Sequence, residues 1–274
     1  MTVAIHQPHF MPWLGYFDRM LQADMFILLD HVQFERQNYQ NRVQIKTGQG
    51  AQWLSVPVSQ GAQEERILDK RIDNGRKGRQ RWGRKVFLTL QYAYQGAPYF
   101  HLYASKLQGI FDARWERLVD LNRELLTFLM EALGVRKPLI LSSNLPVKAR
   151  KSDLVLELCR AVGADTFLGG IGGSREYLDT AAFRQARISV AWQDFQHPRY
   201  AQHPRPETFI EGLSALDLLF NCGHESVHIL AGKALCRTVS VSGAKGADIR
   251  PSAGAVISVP QSTSWPGLFN ETAP

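Results

Sequence analysis

The chain has 274 residues, 45% of them hydrophobic and 21% charged, which is enough for one large or two small domains with a real core. Lys and Arg number 32 against 25 Asp and Glu, and residues 66–85 hold nine of the basic residues and two of the acidic ones. The remainder carries 23 charges of each sign, which excludes a uniformly polycationic protein and leaves a neutral body with one basic segment.

The sequence also argues against a membrane protein and against a secreted, disulfide-rich protein. No apolar run approaches the roughly 18–20 residues of a membrane-spanning helix. The N-terminal MTVAIHQPHF lacks the charged and long apolar regions of a signal peptide. Cys159, Cys222 and Cys236 are an odd, widely spaced set with no CxxC, which argues against a disulfide framework. We therefore expect a cytoplasmic protein without a membrane span.

The first thirty residues predict a strand, a crossover helix and a second strand. Val3–Ile5 is a short apolar run, residues 13–23 show helical periodicity, and Met25–Leu29 is a continuous apolar run that ends at Asp30. Continuous apolar runs are typical of strands buried on both faces of a parallel sheet. The order strand, helix, strand therefore predicts the opening of an α/β fold.

The later elements continue this α/β pattern and end in a segment of different composition. Residues 43–58 predict two strands around a turn at 48–50, residues 82–95 and 101–133 are largely helical, and residues 139–141 and 166–168 are short strands. Two further helices are predicted, one capped by Ser152 and ending at Val162, the other over 215–221 with Ser214 and Asp217 as a capping box. We predict a single α/β domain over 1–231, with a helical insertion at about 82–133, and a disordered or loosely attached tail over 232–274.

Polar residues concentrate directly after the buried strand that ends at Asp30, where open α/β sheets bind their ligands. These amide and cationic side chains are Gln33, Arg36, Asn38, Asn41, Arg42 and Lys46. So many donors within sixteen residues indicate a site for a polar, anionic ligand, with a solvated surface loop as the alternative.

Two turns are further candidates for ligand binding. Gly169–Gly173, followed by Arg175, can present backbone N–H groups to a phosphate or carboxylate, although such loops also serve as plain tight turns. The turn His6-Gln7-Pro8-His9 has the H-x-x-H spacing that is loosely seen in nucleotidyl-transfer folds, where two imidazoles meet an ATP phosphate. Each signal is weak by itself.

The sequence contains two further patterns, a zinc-hydrolase motif at 224–228 and the basic segment at 66–85. Residues 224–228 read H-E-x-x-H, the zinc-hydrolase motif, but no His follows His228 and only Asp248 and Glu271 remain as a third ligand. We therefore favour a polar helix start and predict no metal. The basic segment at 66–85 includes Trp82 but matches no nucleic-acid motif, so an anionic small molecule is a better candidate than nucleic acid.

A set of motifs spread over roughly residues 3–230 carries a family resemblance. The motifs are IHQPHFMPWLGYF at 5–17, ADMFILLDHVQF at 23–34, NRVQIKT at 41–47, WLSVPV at 53–58, APYF at 97–100, GADTFLGGIGG at 163–173, WQDF at 192–195, HPRY at 197–200 and LDLLFNCGHES at 216–226. In this order they resemble the WbqC-like family. Its members usually have Pro where His224 stands, which makes the H-E-x-x-H an accident of this chain.

The resemblance implies a Rossmann-like parallel sheet similar to that of nucleotidyltransferases and pantothenate synthetase. It also implies a role in bacterial O-antigen, other glycan or specialised-metabolite biosynthesis, in which a small acyl or aminoacyl group is attached to an amino sugar or related amine. The donor is then an ATP-derived acyl-adenylate or a carrier-protein thioester, with an acyl carrier protein as a candidate partner and no cofactor that the sequence requires. A non-catalytic module that binds a sugar nucleotide or carrier-bound intermediate is the alternative.

Under this interpretation His6 or Asp30 accepts the amine proton, and Gln7, Asn41 and the Gly169–Gly173 amides hold the oxyanion. Phosphates of a nucleotide sugar or phosphopantetheine-linked donor are assigned to Arg42, Lys46 and the basic segment. The further candidate binding residues are Pro8, Gln33, Arg36, Gly169, Gly170, Gly172, Gly173, Arg175, Asp194 and His197.

Overall fold

The computed structural model describes residues 1–75, 81–170, 172, 174–203 and 208–232. The chain divides into two units, residues 1–238 and 239–274, and the second lies wholly outside the described residues. The tail predicted over 232–274 also lies outside them from residue 233 on, so its character stays a prediction.

The strands are β1 (Thr2–His6), β2 (Met25–Leu28), β3 (Arg42–Thr47), β4 (Gly50–Ser55), β5 (Leu139–Leu141), β6 (Thr166–Gly169) and β7 (Ser189–Trp192). The helices are α1 (Leu14–Gln22), α2 (Arg81–Tyr94), α3 (Phe100–Asp112), α4 (Leu118–Ala132), α5 (Lys151–Ala161), α6 (Ser174–Tyr177), α7 (Thr180–Gln185), α8 (Ala215–Cys222) and α9 (Ser226–Leu230). Short 3-10 turns occupy Ile67–Asp69, Ser142–Asn144 and Gly223–Glu225.

Within the described residues, five strands form one parallel sheet in the order β5-β2-β1-β6-β7. Strand β1 is central, with Ile5 paired to Ile27 of β2 and Ala4 paired to Leu168 of β6. The chain passes from β1 outward to β2 and β5, and later returns to the other side of β1 as β6. The strand order therefore reverses between β1 and β6, and open α/β sheets bind ligands at such switch points.

Helices cover both faces of this sheet, which explains why its strands read as continuous apolar runs. Ala4 belongs to the cluster that includes Phe17 of α1, whereas its neighbours Val3 and Ile5 belong to the cluster that includes Leu158 of α5. This alternation follows from the two-residue period of a strand. The α/β prediction is confirmed.

The segment between β2 and β5 holds a separate hairpin and three helices. Strands β3 and β4 pair antiparallel around Gly48 and Gln49, and Gly50 has a φ of 105°, a conformation that favours glycine. The helical stretch expected over 101–133 consists of two helices, α3 and α4, joined by residues 113–117. Within this connection the indole N–H of Trp115 donates to the carbonyl of Ile110 at 2.8 Å.

Two helix starts differ in detail from the sequence patterns. The predicted cap Ser152 is wrong, since α5 begins at Lys151 and the Ser152 hydroxyl accepts instead from the backbone N–H of Asp179 at 2.8 Å. The cap at Ser214 is confirmed, because its hydroxyl accepts from the N–H of Leu216. The capping box is wrong because the carboxylate of Asp217 points into a buried cluster.

The Asp217 cluster joins the insertion to α8. Asp217 is fully buried and accepts from the hydroxyls of Tyr94 and Tyr200 at 2.9 and 2.8 Å. The Tyr94 hydroxyl also accepts from the backbone N–H of Lys46, and the Lys46 ammonium donates to Gln202 at 3.1 Å. Buried polar groups of this kind are stabilising only when each has its partner.

None of the helices in the described part of the chain is both long enough and apolar enough to cross a membrane.

Candidate functional site

A cavity of about 420 Å³ lies at the carboxyl ends of β1 and β6, at the switch point of the sheet. It is bounded by the turn after β1, by one side of α1 and by the loops that follow β6 and β7. Its polar and aromatic lining includes His6, Gln7, His9, Trp13, Tyr16, Arg19, Tyr39, Gly170, Gly172, Tyr177 and Gln193.

The turn after β1 brings two imidazoles together. Met11 is fully buried with a φ of 47°, and the N–H of Phe10 donates to the carbonyl of Tyr39 at 2.9 Å, so the turn is held in a conformation that a helix or strand cannot provide. The rings of His6 and His9 then lie edge to face with their centroids 4.4 Å apart.

The backbone fixes the tautomer of His6. Its Nδ1 lies 3.0 Å from the carbonyl oxygen of Gln7, which can only accept, so Nδ1 carries the proton. In the neutral ring the lone pair is then on Nε2, and no described residue hydrogen-bonds to that nitrogen. Because His6 lines the cavity, it presents an oriented proton acceptor there.

A chain of amides orients Gln7. The N–H of Glu35 donates to Oε1 of Gln40 at 3.0 Å, which leaves the Gln40 amide nitrogen to donate to Oε1 of Gln7 at 2.9 Å. Gln40 is fully buried. The Gln7 side chain therefore presents its own NH₂ group as a donor at the cavity.

His9 and Tyr16 are neutral groups at physiological pH. Burial lowers the pKa of His9 to about 3 and raises the pKa of Tyr16 well above its usual 10. The Tyr16 hydroxyl donates to the carbonyl of Gln7 at 3.2 Å, the same oxygen that accepts from His6. Both residues therefore support the position of His6 rather than carry charge.

Among the described residues that line the cavity, Arg19 is the one with a charged side chain at neutral pH. Its side chain is 6% exposed, and burial lowers its pKa to about 10, so it is still protonated at neutral pH. It lies against Gly170 at the end of β6, where a Cβ atom would overlap the guanidinium. The adjacent Asp18 forms no ion pair with it, and its carboxylate accepts instead from Gln22 and Gln193.

Asp30 lies outside this cavity lining and has a complete set of partners. Its Oδ1 accepts from the hydroxyl of Ser142 and the N–H of Ser143, both at 2.9 Å, and its Oδ2 accepts from the Ser143 hydroxyl at 2.7 Å. Asp30 is 2% exposed and ties the end of β2 to the end of β5. This geometry favours a structural role over the proton-accepting role predicted from the sequence.

Replacing Asp30 by Ala is expected to lower the free energy of unfolding by about 2–4 kcal/mol, because two hydroxyls and an N–H would lose their acceptor in the interior. Urea denaturation measures this, with Asp112→Ala, at an exposed position, as a control that changes stability by less than about 0.5 kcal/mol. Unchanged stability together with lost turnover would return Asp30 to the catalytic role.

The other polar residues predicted after β2 are dispersed. Lys46 is 1% exposed and belongs to the Asp217 cluster, so it does not line the cavity. Asn41 donates to the carbonyl of Val56, Gln33 donates to the carbonyl of Gln63, and Arg36 is exposed. Arg42 lies over the ring of Trp53, with 4.2 Å between the guanidinium carbon and the ring centroid.

The glycine loop reaches the cavity only in part. Gly170 and Gly172 line it, whereas Gly173 lies outside the described residues. Gly169 is buried against Trp192, and a Cβ atom at this position would overlap the indole ring. The guanidinium carbon of Arg175 lies over the same ring, 5.3 Å from its centroid. Close packing thus explains Gly169 without a ligand.

The remaining candidates lie elsewhere. Pro8 is buried in the turn after β1, and Asp194 and His197 line a different hollow of about 650 Å³ beside α9. Burial lowers the pKa of His197, and its Nδ1 donates to the carbonyl of Pro198 at 3.0 Å.

The basic segment does not border the cavity in the part that the structure describes, residues 66–75 and 81–85. Arg66 forms an ion pair with Asp69, and the buried Lys70 forms another with Glu65, with 2.7 Å between Nζ and Oε2. Residues 76–80 lie outside the described residues, so the predicted phosphate-attracting role of Arg76, Lys77 and Arg79 stays untested.

The H-E-x-x-H motif is divided between a 3-10 turn and α9, and His224 is exposed with its ring edge-on to Tyr99. Over the described ranges, no three His, Cys, Asp or Glu side chains form a group that could hold a metal ion. The zinc-hydrolase alternative therefore lacks a ligand set within this part of the chain.

Sequence reasoning overlooked Arg19, Tyr39, Tyr177 and Gln193. The sequence does contain an indication for Arg19, because it falls on the apolar face of α1 with Tyr16 and Met20. Charged residues are seldom buried on such a face unless they are paired. The others come from distant loops of the chain and carry no local pattern that places them at one site.

Comparison with known proteins agrees with the motifs in the chain. The model of the WbqC-like protein family matches residues 7–229. The chain is also similar to the uncharacterized protein Rv1507c of Mycobacterium tuberculosis (strain ATCC 25618 / H37Rv), with 33% identity over 227 residues that cover 82% of this chain and 95% of that protein. No solved structure matches the present chain. The family model spans the turn after β1, the insertion and α8, and on this basis the chain belongs to the WbqC-like protein family.

Proposed function

We propose that this protein is an enzyme that forms an amide bond, transferring a small acyl or aminoacyl group to the amine of an amino sugar or a related compound. The reaction takes place in the cavity at the switch point of the sheet. The amine nitrogen attacks the acyl carbon of a thioester or acyl-adenylate, the new C–N bond forms, and the thiolate or AMP leaves.

The single observation that carries this proposal is the oriented Nε2 of His6. An amine that attacks a carbonyl carbon must lose a proton, and a fixed imidazole lone pair is suited to accept it near neutral pH. The Nδ1–H of the same ring is held by the Gln7 carbonyl, which stabilises the ring in the required orientation. In this scheme the proton of the amine passes to Nε2 of His6.

Gln7 supplies the complementary group. Its NH₂ is left free to donate because Gln40 occupies its oxygen, and a preoriented donor of this kind stabilises the negative charge that develops on the acyl oxygen. His9 is neutral, because burial lowers its pKa to about 3, so it supplies no positive charge to that oxygen. His6 and Gln7, adjacent in the chain, then act on the two sides of the same bond-forming step.

An aromatic surface beside the cavity supports a nucleotide-linked or sugar-containing acceptor. Tyr39 stacks on His9 and reaches Trp53, whose ring centroid lies 5.7 Å away, and both aromatic residues are nearly 40% exposed. Exposed aromatic faces next to a polar cavity provide a large, rigid contact for a base or the apolar face of a sugar ring.

Replacing Trp53 by Ala is expected to raise the KM for the amine acceptor about tenfold and leave kcat nearly unchanged, because a stacking contact contributes to binding alone. Steady-state kinetics measure this, with Tyr92→Ala as the control, since Tyr92 is 83% exposed on α2. A fall in kcat with an unchanged KM would contradict the assignment of Trp53 to acceptor binding.

A turnover panel tests the proposed function. Purified protein is mixed with acyl thioesters, or with carboxylic acids and ATP, in the presence of nucleotide-linked amino sugars, and amide product is followed by mass spectrometry. Product that requires the protein supports the proposal. Saturable binding of acceptor without turnover for every donor would overturn it and favour a non-catalytic binding module.

A further inference from the structure

Arg19 is a buried cation without a partner among the described residues. It has no hydrogen bond and no ion pair there, and its Nε is buried without an acceptor. No ion pair joins Arg19 to the neighbouring Asp18, whose carboxylate accepts from Gln193. Tyr177 interacts electrostatically with the guanidinium, but burial raises the pKa of this phenol, so it does not supply a negative charge at neutral pH. The side chain nevertheless lines the cavity.

An unpaired charge in the interior is destabilising, and proteins rarely retain one that packing alone would replace with an apolar residue. Position 19 lies on the buried stripe of α1, flanked by fully buried Phe17 and Met20, where a Met or Leu side chain would pack without this desolvation cost. The charge itself therefore requires an explanation outside the packing of α1.

The surroundings of the guanidinium leave room for an anion. Arg19 lines the cavity, and Gly170 allows its backbone to pack closely against the guanidinium, because a Cβ atom there would overlap Nη1. Gly172 also lines the cavity. The planar fork of an arginine matches the two oxygens of a carboxylate or phosphate in a bidentate pair. No described carboxylate already fills that position.

We infer that Arg19, with Gly170 packed against its guanidinium, forms a binding site for one oxyanion of the substrate, a phosphate or a carboxylate. The inference deepens the proposed function by placing a charged group of the substrate at the Arg19 end of the cavity and the reacting amine at the His6 end. Its test uses binding and folding stability alone, so it stands or falls independently of whether turnover is found.

Thermal unfolding with pyrophosphate, inorganic phosphate or acetate at constant ionic strength tests this site. The wild type is expected to gain roughly 5–10 °C when the matching anion is present at about 100 times its Kd. The phosphate and acetate arms distinguish the two anion classes. Arg19→Met is expected to lose this response, with affinity reduced about 10- to 100-fold, while its melting temperature without anion is equal to or above that of the wild type.

Two further variants guard against a merely structural effect. Gly170→Ala, which displaces the guanidinium and keeps its charge, is expected to weaken the anion response. Arg184→Gln, at an exposed position of α7 outside the cavity lining, is expected to retain it. An anion response that persists in Arg19→Met would overturn the inference. The inference would also be overturned if two results occurred together. Arg19→Met without anion would melt below the wild type, and Gly170→Ala would show the same rise in melting temperature with anion as the wild type.

Discussion

Replacing His6 by Asn is expected to reduce amide formation by about 10²–10⁴-fold, the usual contribution of a positioned general base. Asn places an amide nitrogen where Nδ1 lies, so the hydrogen bond to the Gln7 carbonyl is kept while the lone pair of Nε2 is removed. The rate constant at saturating donor and acceptor measures the loss, and the Kd of the acceptor is expected to change less than about threefold.

His101→Asn is the matched control, because His101 is exposed on α3 and has no contact with the cavity lining. Its turnover is expected to equal that of the wild type. Full activity of His6→Asn would remove the base from the proposed mechanism, whatever the protein's substrate.

Replacing Asp217 by Ala is expected to lower the free energy of unfolding by about 3–5 kcal/mol, since it leaves the buried hydroxyls of Tyr94 and Tyr200 without an acceptor. Urea denaturation of the variant measures this against Asp112→Ala, an exposed position on α3 where the change stays below about 0.5 kcal/mol. A loss at Asp217 no larger than at Asp112 would show that the cluster does not hold α8 to the insertion.

The same residue sets a pH dependence of stability. Burial raises the pKa of Asp217 to about 6, in spite of the lowering by its tyrosine partners and Lys46, whereas an unfolded Asp titrates near pH 3.9. Between these values the folded protein binds a proton that the unfolded chain has lost, so the stability contributed by this group falls as pH rises from about 4 to about 6. Asp217→Asn is expected to lack this slope relative to the wild type, and parallel profiles would contradict the assignment.

Much of the fold is readable from the sequence because the sheet is covered on both faces. Strands β1 and β2 appear as apolar runs, and Ser214 marks the start of α8 through its own hydroxyl. The sequence patterns do not identify Ser189–Trp192 as a strand, and β7 is an edge strand in which all four positions are half-buried or exposed. Short α6 and α7 likewise lack the length that makes helical periodicity visible.

The site is only partly readable for a different reason. His6 and Gln7 are found because the H-x-x-H turn stands at the end of the first apolar run. The hydrogen-bond donors to Asp30 are Ser142 and Ser143, more than a hundred residues away in the chain. Lys46 looks like a ligand group in sequence and is a buried structural residue in three dimensions. Proximity along the chain is enough to propose His6 and Gln7, whereas the contacts of Asp30 and Lys46 depend on tertiary packing.

The most direct measurement is a crystal structure of the protein with a nucleotide-linked amino sugar that serves as acceptor in the turnover panel. We expect the amine nitrogen to lie within hydrogen-bond distance of Nε2 of His6, about 2.6–3.2 Å, with an oxyanion of the same molecule on Arg19. An acceptor bound in the hollow beside His197, or with its amine turned away from His6, would contradict the assignment of this cavity as the place where the amide bond forms.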